Sequence, residues 1–278
     1  MSGPQEPSHV EAGEQRGDVD GDVHVSRCGH VATVTILKPP HNSMSVELAR
    51  DLADTLENLD EDADIRAVVL ASEGRSFCAG ADLSKRADEV GIEPTDDVSA
   101  SNPLYEQAVR LYGAQLPIVA AIQGPAVGAG LGLALVADFR IASPAARFAA
   151  NFVKLGFHPG FGLTYTLPRL LGPQRASLLL LTGRRIKADE ALEIGLIDQI
   201  APADVLLPTA HALAEEIAEN APLAVRSTRA TLRAGLADSV REATEEEFAE
   251  QRWLMRTEDF REGIRAVSER RPGDFKSR

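Results

Sequence analysis

Short apolar runs closed by small-residue turns alternate with helical stripes along most of this chain. Val23-His24-Val25-Ser26-Arg27 and Val31 to Leu37, joined through Cys28-Gly29-His30, predict a β-hairpin around a glycine turn. Ser45 stands where an N-cap belongs. Behind it Val46, Leu48, Leu52, Leu56 and Leu59 recur at the spacing of one helical face. Ile65 to Ala71 predicts a buried strand, followed by the small-residue turn Ser72 to Leu83 and a helix start. Pro117 to Ile122 predicts a second such strand, ending in Gln123-Gly124-Pro125-Ala126-Val127-Gly128-Ala129-Gly130-Leu131-Gly132. Leu131 to Ala137 is small, apolar and long enough for two turns of buried helix. Another short strand follows from Asp138. Residues 162–195 read as helices broken at Leu171-Gly172-Pro173 and Thr182-Gly183, and Leu196 to Ile200 as a last short strand. The remainder reads as helix, with breaks at Pro202, Pro222, Gly235 and around Asp259. Strands alternating with helices and then helices alone predict an α/β core over residues 23–200 and a C-terminal helical subdomain over residues 201–278.

Composition adds bounds. Residues 1–22 hold six acids against Arg16 and almost no bulky apolar groups. Such a segment cannot bury enough surface to offset its ordering entropy, so a disordered acidic tail is expected there. Residues 84–104 are mixed and charged, with Gly91, Pro94 and Pro103, and suit a loop over a rigid scaffold. A net charge of −13 and a pI of about 5.0 argue against a bare nucleic-acid or anionic-membrane surface. Two cysteines, Cys28 and Cys78, make no disulfide framework. Cys78 is expected to be a small buried residue and not a nucleophile. No apolar run reaches transmembrane length and the first residues lack a signal-peptide core, so a soluble, cytoplasmic protein is expected.

The candidate chemistry lies in the two strand-to-turn junctions. Glycines at 124, 128 and 130 allow positive φ and keep side chains out of the way of a ligand. At a helix start the first N–H groups lack intrahelical acceptors and favour negative charge. The spacing is not GxxxxGK[ST] and no lysine follows, which excludes a phosphate loop of that class. Gly128-Ala129-Gly130 matches only part of GxGxxG, and it sits mid-chain. Close helix packing through small residues explains the same glycines equally well. The second junction, Phe77-Cys78-Ala79-Gly80-Ala81-Asp82-Leu83, adds weight to the functional side. Two N–H donors from two such turns, converging on one oxygen, would make an oxyanion hole.

With these segments the chain resembles the enoyl-CoA hydratase/isomerase (crotonase) superfamily. The resemblance rests on residues 77–83, on Pro117 to Gly124, on Gly128-Ala129-Gly130, on Ala137-Asp138-Phe139-Arg140-Ile141-Ala142 and on Asp259-Phe260-Arg261-Glu262-Gly263-Ile264. They occur in the expected order over roughly residues 22–275. The resemblance implies a crotonase-like ββα spiral core with a C-terminal helical subdomain, assembled as a homotrimer or homohexamer. It implies that the N–H groups of Ala81 and Ala129 form the oxyanion hole for an acyl-CoA or enoyl-CoA thioester. Ala79, Ala81, Asp82, Leu83 and Ser84 would line the CoA pocket. Coenzyme A enters as part of the substrate, with no separate cofactor or metal. Lys85 and Arg86 are candidates for its phosphates, with a solvated charge pair as the alternative.

The pattern breaks at the acids. Hydratases of this family use two glutamates, at the positions matching Gly132 and Phe152, and the aspartate of the dienoyl-CoA isomerases matches Gly160. The thioester-polarising half of the site is therefore present and the proton-transfer half is missing or moved. His158 is the replacement acid or base that chemistry suggests, against a plain turn role in Phe157-His158-Pro159-Gly160. Asn151, Tyr105, Tyr112 and Tyr165 are weaker candidates for orienting a water or the acyl group. His41 and Asn42 are read as loop and capping residues. Three functions remain in play: an acyl-CoA thioester-processing enzyme, a non-catalytic acyl-CoA-binding protein, and an unrelated nucleotide-binding protein.

Overall fold

The computed structural model describes residues 15–81 and 101–278. Strands β1 (Gln15–Asp20), β2 (Val23–Cys28) and β3 (Val31–Ile36) form an antiparallel meander. From β3 the sheet continues in parallel through β4 (Ala67–Ser72), β5 (Ile118–Ile122), β7 (Phe139–Ala142) and β10 (Gln199–Ile200). A smaller sheet joins β6 (Ala126–Val127), β8 (Arg147–Ala149) and β9 (Arg185–Lys187). Helices α1 (Val46–Glu61), α2 (Pro103–Gly113) and α3 (Ala129–Val136) lie between strands. They are followed by α4 (Leu163–Leu171), α5 (Pro173–Thr182) and α6 (Ala188–Glu193), with a short 3-10 turn at Phe152–Leu155. The tail is α7 (Leu206–Ala218), α8 (Pro222–Leu232), α9 (Leu236–Leu254) and α10 (Glu258–Ser268).

The parallel strands read as continuous apolar runs because both faces of the sheet are covered. Side chains alternate across a strand. Val68 and Leu70 of β4 and Ile118 and Ala120 of β5 therefore join the core under α1 and α2. Ala67, Val69, Val119 and Ala121 face the other way, where Leu206, Ala210, Ala214 and Ala218 of α7 cover them. The Ser45 hydroxyl accepts the Leu48 N–H, and all five predicted apolar positions of α1 are buried. Asp138 ties the tail to the sheet: its carboxylate accepts from the Ile118 amide at 2.8 Å, from Arg229 at 2.8 Å and from Arg233 at 3.1 Å.

Two elements depart from expectation. Gln15–Asp20, assigned to the acidic tail, pairs with β2 as an edge strand. Ladder hydrogen bonds on one side suffice for this and require no apolar side chains; residues 1–14 lie outside the described residues. Strand β9 falls within the stretch 162–195 expected to be helical; only Ile186 of Arg185-Ile186-Lys187 is buried, too little to show a period of two. Among the described residues no helix is long and apolar enough to cross a membrane.

Candidate active site

The two glycine turns lie side by side. Cys78 bridges to Ala126: its amide donates to the Pro125 carbonyl at 3.2 Å and its own carbonyl accepts from Val127 at 3.0 Å. The Met44 amide donates to the Gly80 carbonyl at 3.0 Å and so holds the outer flank of the first turn. The packing of one turn against the other is why Gly124 and Gly130 are glycines. A Cβ at either would drive into the carbonyl of Arg75 or of Cys78. Neither adopts positive φ, so the expected left-handed backbone holds at Gly128 alone of the three, with φ 55°. There the chain turns sharply into α3, and the Gly128 amide donates to Ala149 at 2.9 Å.

Ala129 is the first residue of α3, where an amide has no intrahelical acceptor. Among the described residues neither Ala129 nor Ala81 donates its N–H to a backbone carbonyl. The turns are close enough that a Cβ on Gly80 would stand 3.7 Å from the Ala129 nitrogen. Ala79, Ala81 and Ala129 all line one cavity of about 310 Å³. The fully apolar α3 places the positive end of its peptide dipoles at this point without a charged side chain.

The rest of the cavity is apolar. Phe152, Phe157, Phe161, Leu155, Ile264 and Val267 line it, and Phe157 meets Phe152 and Phe260 edge to face at 5.4 and 5.3 Å. Three polar residues are among its lining. The Tyr105 hydroxyl is committed to Gln251 Oε1 at 2.8 Å, and burial pushes its pKa up. Asn151 and Ser268 are the others. Asn151 has no side-chain hydrogen bond among the described residues. No Asp, Glu, His, Lys or Arg is among the described residues lining this cavity.

The structure brings together only part of the predicted site. Asp82, Leu83, Ser84, Lys85 and Arg86 lie outside the described residues. His158 is not brought to the cavity. It lines a separate depression with Leu180, Leu181 and Leu254, and its Nδ1 lies 2.9 Å from the Pro159 carbonyl oxygen. The segment folds Phe157 inward, 4% exposed, while His158, the candidate acid or base, falls outside the lining of this cavity. Tyr112 is buried and donates to the Gly132 carbonyl at 3.0 Å, and Tyr165 packs against the core without lining the cavity. The Asn42 amide donates to the carbonyls of Glu73 and Ser76 at 2.6 and 2.7 Å, the loop role expected of it.

Cys78 is fully buried, and desolvation pushes its thiol up from 9.0 to about 11. A thiol-directed reagent should therefore label exposed Cys28 in the native protein and reach Cys78 only after denaturation. Equal labelling of both would overturn this placement. The folded chain holds the Cys78 proton more tightly than the unfolded chain does. The stability linked to it is thus complete below pH 9 and drains away as the pH rises toward 11.

Sequence reasoning missed Phe161, Glu247 and Gln251. Phe161 has no solvent exposure and a φ of 63°. A Cβ on Gly132 would stand 2.5 Å from Cδ1 of its ring and 2.9 Å from Cγ. The space in front of Gly132 is filled by an aromatic ring. Glu247, buried on α9, accepts from the Gly162 amide at 2.8 Å and from the Thr164 amide and hydroxyl at 2.9 and 2.7 Å. Burial raises its pKa against those hydrogen bonds. One turn on, Gln251 donates to the carbonyls of His158 and Pro159 at 2.8 and 3.1 Å. The available signal was an aromatic between two glycines, and a Glu and Gln four apart.

Comparison with known proteins places these features. The family model described as Enoyl-CoA hydratase/isomerase matches residues 27–278. A short-chain-enoyl-CoA hydratase of Clostridium acetobutylicum is 35% identical over 263 residues, covering 92% of this chain and 98% of that protein. A 1,2-epoxyphenylacetyl-CoA isomerase of Escherichia coli is 34% identical over 250 residues, covering 88% and 94%. The crystal structure of an enoyl-CoA hydratase/isomerase from Pseudoalteromonas atlantica T6c superposes with a TM-score of 0.81 at 32% identity, over 92% of this chain and all of that one. Nearly equal identity to a hydratase and to an isomerase leaves the choice of reaction to the side chains of the site.

Proposed function

This chain belongs to the enoyl-CoA hydratase/isomerase family, and we propose that it binds an acyl-CoA thioester with the carbonyl oxygen on the amides of Ala81 and Ala129. The observation that carries this is one apolar cavity bounded by both alanines, one of them the uncapped first residue of a buried helix. Two fixed N–H dipoles in a water-poor site stabilise charge as it develops on the thioester oxygen, which activates the α and β carbons. The proton-transfer half differs from that of a hydratase. Gly132 has no side chain, Phe152 cannot move a proton, and the lining described here offers Asn151 only as a group that orients by hydrogen bonding. The reaction proposed is therefore a thioester transformation other than efficient hydration. The second reading, acyl-CoA binding without turnover, is favoured by the lack of any Asp, Glu, His, Lys or Arg among the described lining residues.

Calorimetric titration with butyryl-CoA and with free CoA tests the binding half. The thioester should bind at least tenfold tighter, because only it buries an acyl group and meets both amides. Equal affinity would remove the acyl cavity from the argument. Turnover of a panel of thioesters then separates the two readings. We also propose a trimer or a dimer of trimers. Leu181, Leu223, Leu232 and Trp253 are 77, 80, 69 and 55% exposed, a cost that burial between subunits would remove. Sedimentation of the same sample as a monomer at micromolar concentration would refute this.

A further inference from the structure

The segment Gly160-Phe161-Gly162 is costly to build. A bulky side chain at φ 63° holds a backbone conformation that L residues rarely adopt, and Gly162 follows it at φ 73°. Two buried side chains of α9 hold the segment from both sides: Gln251 on the carbonyls of His158 and Pro159, Glu247 on the amides of Gly162 and Thr164. On the third side Gly160 lies against the Tyr105 hydroxyl so closely that no Cβ fits. All of this seats one ring of the cavity lining against a helix position that has no side chain. Gly132 is not needed for the backbone of α3, since its φ is ordinary. It is needed because Phe161 occupies the place of its Cβ.

We propose that Phe161, seated against Gly132, is the residue that sets the depth of the acyl site and so restricts the ligand to short, uncharged acyl chains. The proposal rests on reading this cavity as the acyl site. Phe161 is a fully buried residue of the cavity lining, and its apolar ring offers no partner to a charged ω-group. Each methylene that enters an apolar site is worth about 0.8 kcal/mol, roughly fourfold in affinity, until the chain meets the wall. Phe161 and Gly132 form one steric unit, large opposite absent, so changes at the two positions act in opposite directions.

The test is the affinity of a series of saturated straight-chain acyl-CoAs for the full-length protein and three variants. Phe161→Gly removes the ring and suits the left-handed backbone. Its gain of roughly fourfold per methylene should continue at least two carbons beyond the point where the unaltered protein stops gaining. Gly132→Ala keeps the core almost full and pushes the ring into the cavity, so its limit should fall to shorter chains. The double variant should recover most of the length lost in Gly132→Ala, a coupling that independent structural damage would not produce. Thermal melts confirm folding, and if Phe161→Gly does not fold, the shortened limit in Gly132→Ala carries the test alone. Identical chain-length profiles in all folded variants would overturn the role of Phe161 while leaving acyl-CoA binding intact. Failure of the unaltered protein to bind any acyl-CoA would overturn the acyl site itself, and this inference with it.

Discussion

Ala129→Pro should lower any thioester reaction of this protein by at least about 10² to 10³-fold, the usual loss for one oxyanion donor. The substitution is unusually local. Ala129 is the first residue of its helix, the position where proline is best accommodated, and its N–H has no backbone acceptor to lose. Gly128, at φ 55° and ψ −121°, presents no Cβ to clash with the proline ring. The fold should survive, while the ring carbon replaces the proton and occupies the point where the carbonyl oxygen would sit. Ala129→Gly keeps the N–H and should remain within a few-fold of the parent. Full activity in a folded Ala129→Pro protein would place the carbonyl elsewhere.

Crotonyl-CoA should be bound and yet hydrated at least about 10⁴-fold more slowly than by a two-glutamate hydratase. General acid and base groups contribute about 10² to 10⁴-fold each, and the resemblance matches the positions of both to Gly132 and Phe152. Gly132→Glu alone should not restore the reaction, because its first side-chain atom would stand 2.5 Å from the Phe161 ring. Restoration would require emptying position 161 and placing a carboxylate at 152 as well. A hydration rate in the range of those enzymes, followed by stopped-flow loss of the enoyl chromophore, would sink the argument. A carboxylate would then have to come from elsewhere, and residues 82–100, with six of them, lie outside the described structure.

The framework of the molecule was legible along the chain because it rests on local rules. The five apolar positions of α1 and its Ser45 cap, the hairpin at Val23–Ile36 and the two strands ahead of the glycine turns all follow from periodicity and turn chemistry. The elements missed were those whose stability is not local. The edge strand Gln15–Asp20 is held by ladder bonds to β2, and Arg185–Lys187 by pairing with β8. At the site, the resemblance singled out Ala81 and Ala129 for an oxyanion hole, and the structure puts both residues on one cavity.

By itself, then, the sequence determined the class of fold and the family, and it pointed to the two turns that border the cavity, since strand-turn-helix junctions are written in short contiguous stretches. Only the tertiary structure decided which side chains share the cavity. His158 lies four residues from Lys154 and six from Phe152, yet one turn of chain sends it to another surface. Phe161 lies 29 positions from Gly132 in the numbering and fills its side-chain space, held there by Glu247 and Gln251 from a helix more than 80 residues further on. Contacts of that range depend on how the helical tail packs back over the core. No local period along the chain encodes that packing.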